Sequence, residues 1–157
     1  MKTKHFIYLL FISLIVVSCG KDNDDNPTPT VEDTTEYFRC KLNGIPFTDD
    51  ARFAAYFSGN TRIVSQNNEE MMVININKDT TGTFVITGLG QENDMYYSDS
   101  LNNQYEAISA TILVTEYSKS KKVMSGTFTG VLQNLANAND KITITEGKFN
   151  KLNLGPF

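Results

Sequence analysis

Residues 108–115 read Ile108-Ser109-Ala110-Thr111-Ile112-Leu113-Val114-Thr115, the most regular alternation in the chain. Every second residue from Ile108 to Val114 is apolar, and all but one of the residues between them carry a hydroxyl group. Successive side chains of a strand point to opposite faces, so this spacing puts the apolar set on one side. The stretch therefore predicts a half-buried β-strand.

The same period of two recurs on both sides of this strand, with turn residues between the repeats. Shorter alternating runs lie at residues 38–42, 51–57, 61–65, 72–76, 83–87 and 142–145. Asn43-Gly44 and Ser58-Gly59-Asn60 are typical of hairpin turns, and Pro46 predicts an edge strand because it cannot donate to a ladder. No window has a helical period. We expect an all-β domain, namely an antiparallel β-sandwich of eight or nine short strands, with a small barrel as the alternative.

The amino-terminal residues indicate a targeting segment. A start with two lysines precedes the apolar run Phe6–Val17, which is too short to span a bilayer. The run ends in Val16-Val17-Ser18-Cys19, which resembles the lipobox of bacterial lipoproteins, whose cysteine accepts diacylglycerol as a thioether. We predict a cleaved signal peptide over residues 1–18 and lipidation of Cys19 by diacylglycerol and palmitate-type chains. Two or more such chains hold a protein stably on a membrane.

Residues 19–35 are predicted to form a flexible acidic linker. They are rich in Asp, Asn, Thr and Pro, and Val31 is their only aliphatic residue, so they cannot bury enough apolar area to offset the ordering entropy. Lys21-Asp22 directly follows Gly20 and resembles the export signal of Bacteroidota-type surface lipoproteins. We therefore expect a lipid-anchored outer-membrane protein that faces the cell surface, with its folded domain over residues 36–157.

Several short motifs of this domain resemble one family. They are Asn43-Gly44 with a following aromatic residue, Gly82-Thr83-Phe84, Ser125-Gly126-Thr127-Phe128, and the terminal run Ile142–Phe149. Together they resemble a family of small Bacteroidota-type lipoproteins with a domain of unknown function. The resemblance implies a β-sandwich lipoprotein and supplies no catalytic residues.

Charge and composition exclude several classes of function. The net charge is −4 and the pI about 4.9, which argues against nucleic acid as a partner. The one histidine, His5, lies in the predicted signal peptide, which leaves no Ser-His-Asp triad and none of the usual zinc sites in the mature chain. No cofactor or metal is expected. Cys40 alternates with apolar neighbours, which predicts a buried, inert thiol, with a reactive thiol as the alternative.

Pairs of carboxylates are the remaining route to catalysis. A glycosidase needs two facing carboxyl groups, and Asp49-Asp50, Glu69-Glu70, and Asp94 with Asp99 are the candidate pairs. All lie in predicted turns, where acidic residues are ordinary surface groups. We therefore expect that the chain is not an enzyme and keep a carboxylate-only hydrolase as an alternative.

Aromatic residues around one loop are the candidate ligand contacts. Tyr96, Tyr97 and Tyr105 flank the polar loop 98–104, and exposed aromatic rings on loops bind sugars and peptides. The alternative is that these rings pack under the loop or onto the sheet. We expect a non-catalytic binding or accessory module for a glycan, a peptide or an envelope protein. A structural component of an outer-membrane assembly is the alternative.

Overall fold

The computed structural model describes residues 33–156, and within them the chain forms ten β-strands and no helix. The strands are β1 (Tyr37–Leu42), β2 (Ile45–Thr48), β3 (Ala51–Phe57), β4 (Asn60–Gln66), β5 (Met71–Ile76), β6 (Gly82–Ile86), β7 (Asp94–Ser98), β8 (Gln104–Ser118), β9 (Val123–Asn134) and β10 (Lys141–Pro156). The predicted all-β class is confirmed. The predicted signal peptide, Cys19 and the linker as far as residue 32 lie outside the described residues.

Seven strands close into a barrel, so the predicted β-sandwich is wrong. Strands β10, β3, β4, β5, β7 and β8 are hydrogen-bonded in that order, and β9 pairs with both β8 and β10. The ring is therefore continuous, which removes the free edges that a sandwich leaves. Alternation marks the inward residues equally well in a sandwich and in a barrel, so it could not separate the two.

Closure depends on one parallel pair. Leu154 and Pro156 of β10 lie in parallel register with Ala54 and Tyr56 of β3. The other strand pairs within the described residues are antiparallel, as predicted. Since the paired segments are about a hundred residues apart in sequence, no local pattern signals this contact.

Three strands are longer than the sequence predicts: β8, β9 and β10 have 15, 12 and 16 residues. In β10 the register shifts between Ile144 and Gly147 and again between Phe149 and Leu152. Glu146 and Lys151 have positive φ at these points, so each shift acts as a bulge that bends the strand and reverses its alternation. Because these bulges break the alternation of apolar residues, the sequence predicts short separate runs here, whereas the strand is continuous.

The remaining strands extend the sheet beside the barrel. β1 and β2 form a hairpin on β10, and β6 lies on β8. Asn43 and Gly44 have φ of 49° and 83°, and Ser58 and Gly59 have 49° and 85°, as two-residue hairpins with positive φ at both positions require. Both predicted hairpins are confirmed, and so is the edge position of Pro46, because β2 is the last strand on its side.

The barrel is filled by apolar side chains from the inward faces. Phe128 and Phe149 of the barrel and Phe38 of the adjoining β1 form a row of rings with centroids 5.0 Å (Phe38–Phe128) and 6.3 Å (Phe128–Phe149) apart. A Cβ at Gly126 would lie 2.4 Å from Cζ of Phe149 and 2.3 Å from the carbonyl oxygen of Leu113. Glycine at this position therefore provides the space that the Phe149 ring occupies.

Candidate functional site

The outer face of β4, β5 and β7 carries a row of polar side chains. The register aligns Arg62 of β4 with Asn75 of β5 and Asp94 of β7. The Arg62 Nε donates to Asn75 Oδ1 at 2.7 Å, and Asn75 Nδ2 donates to Asp94 Oδ1. Their strand neighbours Ile74 and Met95 point inward and are fully buried. The alternation of each strand thus places a connected polar ladder directly over the core.

A second polar row is formed where the loop of residues 87–93 folds back onto this face. Asn77 donates from its backbone N to Asn93 Oδ1 at 2.9 Å and from Nδ2 to Glu92 Oε2 at 2.6 Å. The backbone N of Gly90 donates to Glu106 Oε1 at 2.6 Å. These bonds hold the loop as a wall against the strands.

An open depression of about 640 Å³ lies between the two rows and the loop. Its border is formed by Phe57, Asn60, Arg62, Asn77, Glu92 and Asp94, and we call it the polar trough. Ala55, which lies opposite Arg62 on β3, also lines it. A depression of this size matches the volume of small-ligand sites.

An exposed aromatic ring stands at one end of the polar trough. The side chain of Phe57 is 67% exposed and belongs to the last residue of β3. Its cross-strand neighbour is Asn60, whose side chain makes no hydrogen bond within the described residues. An apolar ring therefore lies beside an amide that has both donor and acceptor capacity left.

Burial shapes the electrostatics of the trough. Desolvation raises the pKa of Asp94 above its ordinary value, and hydrogen bonds from Asn75 and Tyr96 partly oppose this shift. Arg62 gives its Nε proton to Asn75 and has no other acceptor among residues 33–156. Its remaining guanidinium protons are therefore available to a ligand. With Glu92 and Asp94 opposite one guanidinium, the trough is acidic on balance.

Comparison with known families covers the barrel that carries this trough. A sequence profile described as a domain of unknown function, DUF6252, matches residues 34–153. The chain belongs to the DUF6252 family. No curated protein and no solved structure is detectably similar to it. The expected membership of a family of unknown function is confirmed. The matched residues of this DUF6252 domain include nearly all of those that the structure describes.

The three candidate tyrosines differ in their exposure within the DUF6252 domain. Tyr97 and Tyr105 are 4% and 6% exposed, and their ring centroids lie 5.9 Å apart at the edge of the core. The Tyr97 hydroxyl donates to Glu70 Oε1, and the Tyr105 hydroxyl donates to Asp140 Oδ2. Tyr96 points to the outer face instead. A smaller depression of about 310 Å³ reaches all three, but only Tyr96 presents an outward side chain there. Contact of the three with a ligand stays a prediction.

At least one carboxylate of each candidate pair accepts a hydrogen bond within the DUF6252 domain. Asp49 accepts from Arg52 Nε at 2.7 Å and from the Ser65 hydroxyl at 3.0 Å. Asp99 accepts from the backbone of Leu101 and Asn103, which holds the loop after β7. It lies beyond the end of β7 opposite to Asp94, at about 16 Å for an extended strand. The last pair therefore does not face one cleft.

The described part of the DUF6252 domain contains a buried cysteine and no cluster of metal-binding side chains. Cys40 is buried, and desolvation raises the pKa of its thiol to about 12. No group of three or more potential metal ligands occurs within residues 33–156. In the same residues no helix has the length and apolar character that a membrane span requires.

Sequence reasoning identified parts of the trough without bringing them together. The alternation of residues 72–76 predicts an outward side chain at Asn75, and the sequence predicts a role for Asp94 only as half of a carboxylate pair. Arg62 was missed, although its outward position between Thr61 and Ile63 was a usable signal. The folding of loop 87–93 onto the sheet depends on Gly90 and Glu106, and no local pattern predicts it.

Proposed function

We propose that this chain is an envelope-tethered lipoprotein whose barrel is a non-catalytic binding module. The polar trough is the observation that carries the proposal. It combines an exposed ring, side chains with unused hydrogen-bonding capacity and a rigid floor of paired strands, which are the properties of a preorganised ligand site. Hydrogen bonds across the strands hold its polar side chains in place, so these groups are already positioned for a ligand.

The sequence supports the tether. Val16-Val17-Ser18-Cys19 matches a lipobox, and the resemblance to small Bacteroidota-type lipoproteins points in the same direction. The acidic linker that follows is a spacer between lipid and barrel. We place the protein in the outer membrane, with the barrel facing the cell surface because Lys21-Asp22 resembles a surface-export signal.

Protease accessibility tests the location. Intact and permeabilised cells that produce the full chain are treated with a protease, and the barrel is followed by immunoblot. Digestion on intact cells is expected, and Cys19→Ser is expected to leave the protein unprocessed or release it from the membrane fraction. Protection until permeabilisation would place the barrel on the periplasmic side, and membrane retention of the Cys19→Ser variant would rule out the lipid anchor.

Hydrogen–deuterium exchange tests the binding site. The mature lipidated protein, in a detergent without a sugar headgroup, is mixed with a pool of oligosaccharides or with a pool of unstructured peptides. We expect at least one pool to slow exchange in loop 87–93 and in β4, with β6 unchanged as the internal control. Unchanged exchange in both pools would contradict a binding function for the trough.

An assembly role is the second candidate, and the outer strand β6 favours it. β6 has no strand partner on its outer side among residues 33–156, and it contains neither proline nor a charged residue. Val85 of β6 and Leu113 of the adjacent β8 are both exposed. An unprotected edge of this kind is a place where another protein can add a strand. Hydrogen–deuterium exchange of β6 that is slower on whole cells than in the purified protein would favour this alternative, provided that the exchange of loop 87–93 is the same in both.

A further inference from the structure

We infer that the ligand of the polar trough is a neutral saccharide, with one sugar ring stacked on Phe57 and its hydroxyl groups bonded to Asn60, Arg62 and Glu92. This inference rests on the proposed binding function and names the ligand class of the same site.

The strand topology disfavours an extended peptide. Peptides bind sheets by adding a strand to a free edge, where the backbone supplies the hydrogen bonds. The trough lies on the outer face of β3, β4, β5 and β7, and each of these strands is paired on both sides within the closed ring. At the centre of the trough, Arg62 and Asn75 each have a paired strand residue on both sides, so a ligand that lies over them is recognised through side chains.

The side chains match a polyhydroxyl ligand with an apolar face. Asn60 has a free amide, Arg62 has free guanidinium protons, and Glu92 accepts from Asn77 through one oxygen while the other is open. Donors and acceptors thus line the same depression, as the hydroxyl groups of a sugar require. The exposed ring of Phe57 offers a flat apolar surface to the C–H face of a sugar ring.

The charge of the trough disfavours acidic saccharides. Glu92 and Asp94 outnumber Arg62, and Glu106 lies behind the loop that forms the wall. A uronic acid or a phosphorylated sugar would add negative charge to an acidic site, and like charges in a partly buried site are unfavourable. A neutral sugar meets no such opposition.

A binding measurement with three classes of probe tests the inference. The mature lipidated protein, in a detergent without a sugar headgroup, is applied to immobilised neutral oligosaccharides of glucose, galactose, mannose and N-acetylglucosamine. Uronic-acid oligosaccharides and unstructured peptides form the other two arms. We expect binding to at least one neutral oligosaccharide and none to the acidic set.

Two phenylalanines of the same strand give a matched pair of variants. Phe57→Ala is expected to weaken saccharide binding about tenfold or more, which corresponds to about 1.4 kcal/mol. Phe53→Ala removes a ring that is 43% exposed on the same strand but outside the trough. The saccharide affinity of this variant is expected to stay within about twofold of that of the parent chain. Asn60→Ala is expected to weaken binding through a lost hydrogen bond.

The outcomes separate this inference from the proposed function. Binding to peptides alone, or equally to acidic and neutral saccharides, would overturn the saccharide assignment and leave a binding module in place. Saccharide binding that Phe57→Ala does not weaken would also overturn the assignment to this trough. No binding in any arm would overturn both proposals.

Discussion

At the scale of single residues, glycines set how closely the strands of the barrel approach. Gly126 of β9 lies against the ring of Phe149, and Gly147 of β10 lies against Phe128, where an added Cβ would be 2.3 Å from the carbonyl oxygen. Both contacts are too short for any side chain. Gly126 belongs to the motif Ser125-Gly126-Thr127-Phe128, and the structural reason for the glycine is the neighbouring ring.

Gly126→Ala is therefore expected to destabilise the barrel by about 1–3 kcal/mol, because the methyl group must displace the Phe149 ring or the backbone. Urea unfolding followed by circular dichroism measures this change. Gly88→Ala is the matched control, since nothing lies within 4 Å of its Cβ position and its φ is not positive. Equal midpoints for the two variants would show that the barrel absorbs the methyl group without strain.

At the scale of elements, the polar trough depends on a loop that a few side-chain hydrogen bonds hold against the strands. Glu106 of β8 is 9% exposed and accepts a hydrogen bond from the backbone of Gly90. The side chain of Asn77 holds the same loop through Glu92. We call the hydrogen bond between Glu106 and Gly90 the anchor of the loop. Tyr96 of β7 is the cross-strand neighbour of Glu106.

Removing the anchor should free the loop while leaving the strands in place. Glu106→Ala is expected to speed hydrogen–deuterium exchange of residues 88–93 and to weaken ligand binding, since the wall of the trough is no longer held. Glu106→Gln keeps an acceptor oxygen at the same position and is expected to retain most of the protection. If the alanine variant exchanges no faster than the glutamine variant, the Glu106–Gly90 bond does not hold the loop.

At the scale of the whole molecule, the end of β10 completes the barrel. Leu154 is buried and pairs with Ala54 of β3, and its backbone N donates to the carbonyl oxygen of Lys122 at 2.9 Å. This short segment joins the β3–β4–β5–β7 part of the sheet to the β8–β9–β10 part at one side. At the other side the same parts meet through β7 and β8.

Deletion of residues 154–157 is therefore expected to open the ring. It removes the buried side chain of Leu154, worth about 2–5 kcal/mol in a core, together with the β3–β10 pairs. We expect a lower melting temperature and faster hydrogen exchange in β3. Leu101→Ala, at a residue that is 79% exposed, is the control and is expected to melt like the parent chain. An unchanged melting temperature after the deletion would contradict this role for the closing pair.

The sequence by itself determined the all-β class, the two hairpins and the inward face of most strands. These features depend on alternation and on glycine at positive φ, which are properties of neighbouring residues. Only the tertiary structure decided that the sheet closes into a barrel, that Tyr97 and Tyr105 are buried while Tyr96 is not, and that Arg62, Asn75 and Asp94 form a ladder. Each of these outcomes requires contacts between segments far apart in the chain. The bulges of β10 shift the local register that alternation would otherwise report, so closure follows from the packing of the whole sheet.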